Sequence, residues 1–172
     1  LFSIQPLFTK MALPLLGGSP AVWSVALVFF QTVLLAGYAY AHLSTRFLSV
    51  RVGAAVHIVL LAVGFIFLPP AISDAWRQPP ESGQAQFVFL LYLAALGVPL
   101  FALSANSPLL QAWFARSGHR DAADPYFLYA ASNVGSFAAL IGYALLIEPI
   151  LALGAQGSLW TLGFAILVAL IA

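Results

Sequence analysis

The chain has 172 residues, of which 63% are hydrophobic and only 6% charged, against roughly 45–50% and roughly 25% in an average soluble domain. Six Lys/Arg against five Asp/Glu leave a formal net charge of +1, too little positive charge to neutralise a run of phosphates, so nucleic acid is excluded as a partner and the lipid bilayer is the expected one. The absence of cysteine excludes disulfides, thiolate metal sites and a cysteine nucleophile.

A membrane-crossing helix needs about 20 mostly apolar residues, and runs of that kind follow one another along the chain. Residues 1–16 read as the tail of a preceding span, broken by Pro6 and Pro14. Gly17-Gly18-Ser19-Pro20 is a flexible connection, and it lacks the following Lys-Ser/Thr that a phosphate-binding loop would need. Residues 23–43 form the first full run and hold only Gln31 and the terminal His42 as strongly polar side chains. Residues 52–68 form the second, with His57 one turn in and Pro69-Pro70 as its stop. The polar stretch 71–86, containing Pro79 and Pro80, is expected to be an exposed hairpin. Residues 87–113 form a third run that Pro99 and the polar Ser104–Pro108 stretch should kink or break. A fourth, 125–147, opens with Asp124 as a cap and Pro125 at the first helical position, and Glu148-Pro149 closes it. Residues 158–172 begin a further run that stops mid-span, so the sequence reads as a segment of a longer protein.

The expected fold is an all-α membrane protein, a polytopic bundle of about five to six transmembrane helices. The runs are too long and too unalternating for barrel strands. Arg46 and Arg51 fall in the 44–51 loop and Arg116 and Arg120 in the 115–124 loop, while Lys10 and Arg77 fall on the other side. The excess of positive charge places loops 44–51 and 115–124 in the cytoplasm. Trp23, Trp76, Trp113 and Trp160 lie at or near the ends of the runs, as interfacial indoles do.

Few side chains are left for chemistry. Glu148 follows an apolar run directly, where an acid can titrate, pair or simply meet the interfacial water. Ser104, Asn106 and Gln111 surround the expected break in the third run; unwound backbone there would line a cavity, whereas an early helix end would make Asn106-Ser107-Pro108 a turn. In the fourth run Ser132, Asn133 and Ser136 accompany Ala131, Gly135, Ala139 and Gly142, a smooth stripe suited to close helix packing, with Asn133 as either a cross-link between helices or a substrate contact. His42, His57 and His119 have no metal-ligand spacing and are expected to face the interface or the loops. Gln5 and Gln31 should each find a partner helix. The candidate substrate-binding residues are thus Asn106, Asn133, Ser136 and Glu148. No catalytic residue, metal site or cofactor is expected in this segment, because no phosphate loop, nucleophile elbow or zinc motif occurs.

The stretches Gln5-Pro6-Leu7-Phe8, Leu13-Pro14-Leu15-Leu16-Gly17-Gly18-Ser19-Pro20-Ala21-Val22-Trp23, Gly37-Tyr38-Ala39-Tyr40-Ala41-His42, Asp124–Ser136 and Ile147-Glu148-Pro149 resemble the membrane part of the fused major-facilitator-like/spermidine synthase-like proteins of bacteria. The resemblance covers essentially the whole chain. It implies half of a major-facilitator-type fold in the bacterial inner membrane, followed by a soluble aminopropyltransferase-like domain that this sequence does not contain. The segment would then anchor that domain or feed it a small polar substrate. Transporters of the major-facilitator type carry a glycine-rich loop with acidic and basic residues between their second and third helices; here residues 41–51 keep the basic residues and lack the others. Half of a small-molecule transporter and a purely structural anchor are the competing expectations. A polyamine is a polycation that calls for several buried carboxylates, and only Glu148 is near a span.

Overall fold

A computed structural model describes residues 1–16, 20–122 and 124–172; the Gly17-Gly18-Ser19 connection expected from the sequence lies outside them. The elements are α1 (Ile4–Ala12) with a 3-10 turn (Leu13–Leu16), α2 (Pro20–Phe47), α3 (Val50–Gly64) with a 3-10 turn (Phe65–Phe67), a short turn at Asp74–Trp76, α4 (Gln84–Ala115), α5 (Tyr126–Gly142), a π-helical turn (Tyr143–Ile147), α6 (Glu148–Ile150) and α7 (Leu153–Ile171). Among the described residues there is no strand. Among the described residues five helices are long and apolar enough to cross a membrane: Val22–Phe47, Val50–Phe67, Gln84–Ala115, Tyr126–Ile150 and Leu153–Ile171. The molecule is an all-α polytopic bundle.

The first segment departs from the sequence reading. With nine residues α1 is far short of a span, and it is instead buried, with Ile4, Leu7, Phe8 and Ala12 at most 1% exposed. Pro6 does not break it, because the first turn of a helix has no intrahelical acceptor for its N–H groups anyway. The Phe8 ring meets Tyr92 of α4 edge-on at 5.1 Å, and Phe29 and Phe30 of α2 close the same cluster at 5.4 and 6.0 Å from Tyr92. Tyr92 Oη donates to Thr9 Oγ1 at 2.9 Å, which satisfies both hydroxyls in an apolar interior.

The central helix is α4, buried from Val88 to Leu109 on several sides. The expected break is absent: α4 runs unbroken through Pro99 and Pro108. Each proline removes one backbone donor, but Pro99 is buried and α4 packs most extensively against α2 and α3, so tertiary packing holds the helix together. At one point α2 comes very close. A Cβ on Gly37 would lie 1.8 Å from Ser104 Oγ and 2.8 Å from Ser104 Cβ, so only glycine permits this approach.

The connections are shorter than expected on one side. Helix α2 continues to Phe47 and α3 restarts at Val50, so Arg46 and Arg51 sit on helix ends rather than in a loop. Ser49 stops one helix and caps the next, its hydroxyl accepting from Val52 N at 3.4 Å. Across the same end, Arg116 donates to the Thr45 carbonyl at 2.8 Å and ties the α4 terminus to that of α2. Asp124 accepts from Tyr126 N at 3.3 Å, and Pro125 stands just before the helix rather than in its first position. At the opposite end the Pro70 carbonyl lies beside Gly157, and Lys10 pairs with Glu148.

Helix α5 is the least covered. Its contact side carries Ser132, Ser136 and Tyr143, so the stripe of small residues is turned onto the neighbouring flank. Ala131, Gly135 and Ala139 are exposed, and a Cβ added at Gly135 or Gly142 would meet nothing within 4 Å. Among the described residues that stripe packs against no helix.

Candidate functional site

Three helix faces bring polar side chains together inside the bundle. Tyr40 and Ser44 stand one turn apart on α2, Gly53 and His57 one turn apart on α3, and Asn106 and Trp113 two turns apart on α4, spacings that put each pair on a common face. His57, expected at the interface, is fully buried, and Asn106 and Ser44 are 7% and 5% exposed. His57 Nε2 lies 2.6 Å from Asn106 Oδ1. The Tyr40 ring is stacked near the imidazole at 6.0 Å, and Trp113 approaches it edge-on at 6.1 Å. Gly53 eases the approach, since a Cβ there would lie 3.2 Å from Ser44 Oγ, a tight contact, and 3.9 Å from Trp113 Nε1.

The cluster is chemically incomplete. Tyr40 Oη, Ser44 Oγ, His57 Nδ1 and Asn106 Nδ2 are all buried and have no hydrogen-bond partner among the described residues. Such groups cost about 1–3 kcal/mol each when left unpaired, and buried polar atoms are generally satisfied. With Oδ1 accepting, Nε2 carries the imidazole proton and Nδ1 is an acceptor. The Asn106 amide then offers donors, and the two hydroxyls can do either. The arrangement can bind by hydrogen bonding. It holds no nucleophile paired with a base, and no group of three His, Cys, Asp or Glu side chains able to hold a metal occurs among the described residues.

The four candidates from the sequence do not converge. Asn106 belongs to the cluster, reached by an unbroken helix rather than by unwound backbone. Its expected companions serve packing: Ser104 Oγ donates to Val33 O at 3.2 Å and Phe101 O at 2.8 Å, and Gln111 Nε2 donates to Ser107 Oγ at 3.0 Å. Asn133 is exposed on α5, and Ser136 Oγ donates back to Ser132 O at 2.8 Å. Glu148 is engaged by Lys10. His42 is exposed, and His119 is an exposed loop residue 3.6 Å from Asp121.

Tyr143 and Gln156, which drew no notice in the sequence, form a second polar contact: Tyr143 Oη donates to Gln156 Oε1 at 3.0 Å and Gln156 Nε2 to Leu151 O at 2.7 Å. They border a cavity of about 450 Å³ between α1, α4, the π-helical turn and α7, lined otherwise by Ser3 and by mostly apolar side chains such as Leu7, Leu103, Trp160 and Phe164. Trp160 stacks on Phe164 here at 5.8 Å, and it and Trp113 are both partly buried. The signal for the main cluster was present in the sequence as polar and small residues at four-residue spacing in two apolar runs, Tyr40/Ser44 and Gly53/His57.

No protein-family model, curated protein or solved structure matches the chain.

Proposed function

We propose that this chain is the membrane module of a larger bacterial protein of the major-facilitator-like/spermidine synthase-like kind, holding an aminopropyltransferase-like domain at the inner membrane and feeding it a small polar substrate. The observation that carries this reading is the set of five candidate spans with four of the six basic residues at one end of the bundle. Arg116 bonded to the Thr45 carbonyl puts the α2–α3 and α4–α5 junctions side by side, and the positive-inside rule assigns that end to the cytoplasm. Five crossings then bring the end of α7 to the same side, where a domain attached to it would meet cytoplasmic substrates.

The substrate handled inside the bundle is uncharged rather than polycationic. Glu148 is neutralised by Lys10, and Asp74, Glu81, Asp121 and Asp124 are all exposed outside the spans. Half of a small-molecule transporter is the second reading, favoured by the uncovered small-residue flank of α5, which would suit a second bundle. Reading the coding sequence beyond Ala172 separates the two. A strand followed by a glycine-rich turn supports the fused enzyme, and a further set of about six spans refutes it in favour of the transporter. For the fused enzyme, aminopropyl transfer should be assayed on membranes carrying the full-length product.

A further inference from the structure

We propose that Tyr40, Ser44, His57 and Asn106 form an intramembrane binding site for one small uncharged molecule that both donates and accepts hydrogen bonds. Three of these side chains are more than nine-tenths buried, and each of the four carries a buried polar atom without a partner among the described residues. The unpaired set is mixed in character. His57 Nδ1 accepts, Asn106 Nδ2 donates, and the two hydroxyls adapt, so the complementary ligand is neither an ion nor a hydrocarbon but a molecule such as water or a small primary amide. An anion would face the lone pair of Nδ1, and a cation would face the amide hydrogens. The ligand is small because the helices are already in contact around it, with Ser44 Oγ 3.2 Å from where a Gly53 Cβ would be. Polar groups inside a membrane bundle are costly unless satisfied, which is why they mark solute and water paths.

The set lies nearer the arginine-bearing end of the bundle. Ser44 precedes Thr45, whose carbonyl Arg116 holds, and Tyr40 is one turn deeper, about 5 Å. His57 and Asn106 form the floor. This site stands whether or not an enzymatic domain follows α7, so its test is separate from that of the fused-enzyme reading.

The chain contains no cysteine, so an introduced thiol is a unique reporter. Ser44→Cys in the full chain, reconstituted in lipid nanodiscs, is treated with iodoacetamide, itself a small primary amide, with Ser117→Cys as exposed control and Leu96→Cys as buried apolar control. Only a hydrated thiol ionises and reacts. The expected result is alkylation of Ser44→Cys at a rate closer to that of Ser117→Cys than to that of Leu96→Cys. A severalfold slowing by acetamide, absent for Ser117→Cys, identifies a solute site; reaction that acetamide leaves unchanged identifies water as the occupant with the same chemistry. A thiol as inert as Leu96→Cys overturns the proposal. Should Ser44→Cys fail to fold, the His42→Gln/His119→Gln chain keeps His57 as its sole imidazole, and diethyl pyrocarbonate must then acylate it in the folded protein; an unreactive His57 overturns the proposal equally.

Discussion

Replacing Gly37 by alanine tests the close approach of α2 to α4. The new Cβ would sit 1.8 Å from Ser104 Oγ, 2.8 Å from Ser104 Cβ and 3.1 Å from the Phe101 carbonyl oxygen, where carbon atoms normally rest about 3.5–4.0 Å apart. Turning the serine hydroxyl away relieves the shortest contact, but it forfeits the bond to Val33 O and leaves the Cβ overlap. Overpacking of this kind costs about 1–3 kcal/mol and the lost interhelical bond about 0.6 kcal/mol, while alanine in mid-helix regains about 1 kcal/mol of helix propensity, leaving a net loss of about 0.5–2.5 kcal/mol. Ser104→Gly alone loses that bond and about 0.5 kcal/mol of helix propensity, so about 1 kcal/mol in all. Were the two changes independent, the double variant would lose about 2–4 kcal/mol; because glycine at 104 removes the clashing serine atoms, it should lose no more than Ser104→Gly, a coupling of about 1–3 kcal/mol. Detergent-induced unfolding of the four proteins, followed by tryptophan fluorescence, gives the cycle. Wild-type stability for Gly37→Ala, or additive losses, would refute the close α2–α4 packing.

Tyr92→Phe should lower stability by about 0.5–1.5 kcal/mol through the bond to Thr9, and Tyr92→Ala by about 3–5 kcal/mol, because the ring also fills the space between Phe8, Phe29 and Phe30; equal losses in the same unfolding assay would contradict the aromatic core. Glu148→Lys should reduce the yield of monodisperse protein on size exclusion by placing two cations together, and Lys10→Glu combined with Glu148→Lys should restore it; no recovery in the double variant would argue against the pair. Vesicles containing this segment alone should take up no more radiolabelled spermidine than empty vesicles, since its one carboxylate at a span is paired; uptake above that control would overturn the uncharged-substrate assignment.

The long apolar runs made the bundle legible, because a lipid environment leaves the backbone only helices or closed barrels. What escaped was everything decided by neighbours. Pro99 and Pro108 signal a kink or break locally, yet α4 is held by its packing against α2 and α3 and stays continuous. Residues 1–16 look like the remnant of a span, and only the tertiary contacts of Ile4, Leu7 and Phe8 reveal a short buried helix. The stripe from Ala131 to Ala139 has the spacing of a packing face but is left open, because α5 leans on Ser132, Ser136 and Tyr143. Within the candidate site Asn106 could be singled out as a polar residue in a span. His57 could not be distinguished from an interfacial imidazole until α3 and α4 were placed side by side, and Tyr40 and Ser44 gained meaning only with it.

Single cysteines in the cysteine-free chain also give the most direct test of the membrane module and its orientation. Ser49→Cys and Ser117→Cys, at the arginine-bearing end, and Gln78→Cys and Ser82→Cys, between α3 and α4, are exposed to a membrane-impermeant thiol reagent in intact cells. Labelling of residues 78 and 82 with protection of 49 and 117 until the membrane is opened is the predicted result. Labelling of all four positions from one side would contradict a bundle that crosses the bilayer, and the reverse pattern would contradict the cytoplasmic placement of the arginine end.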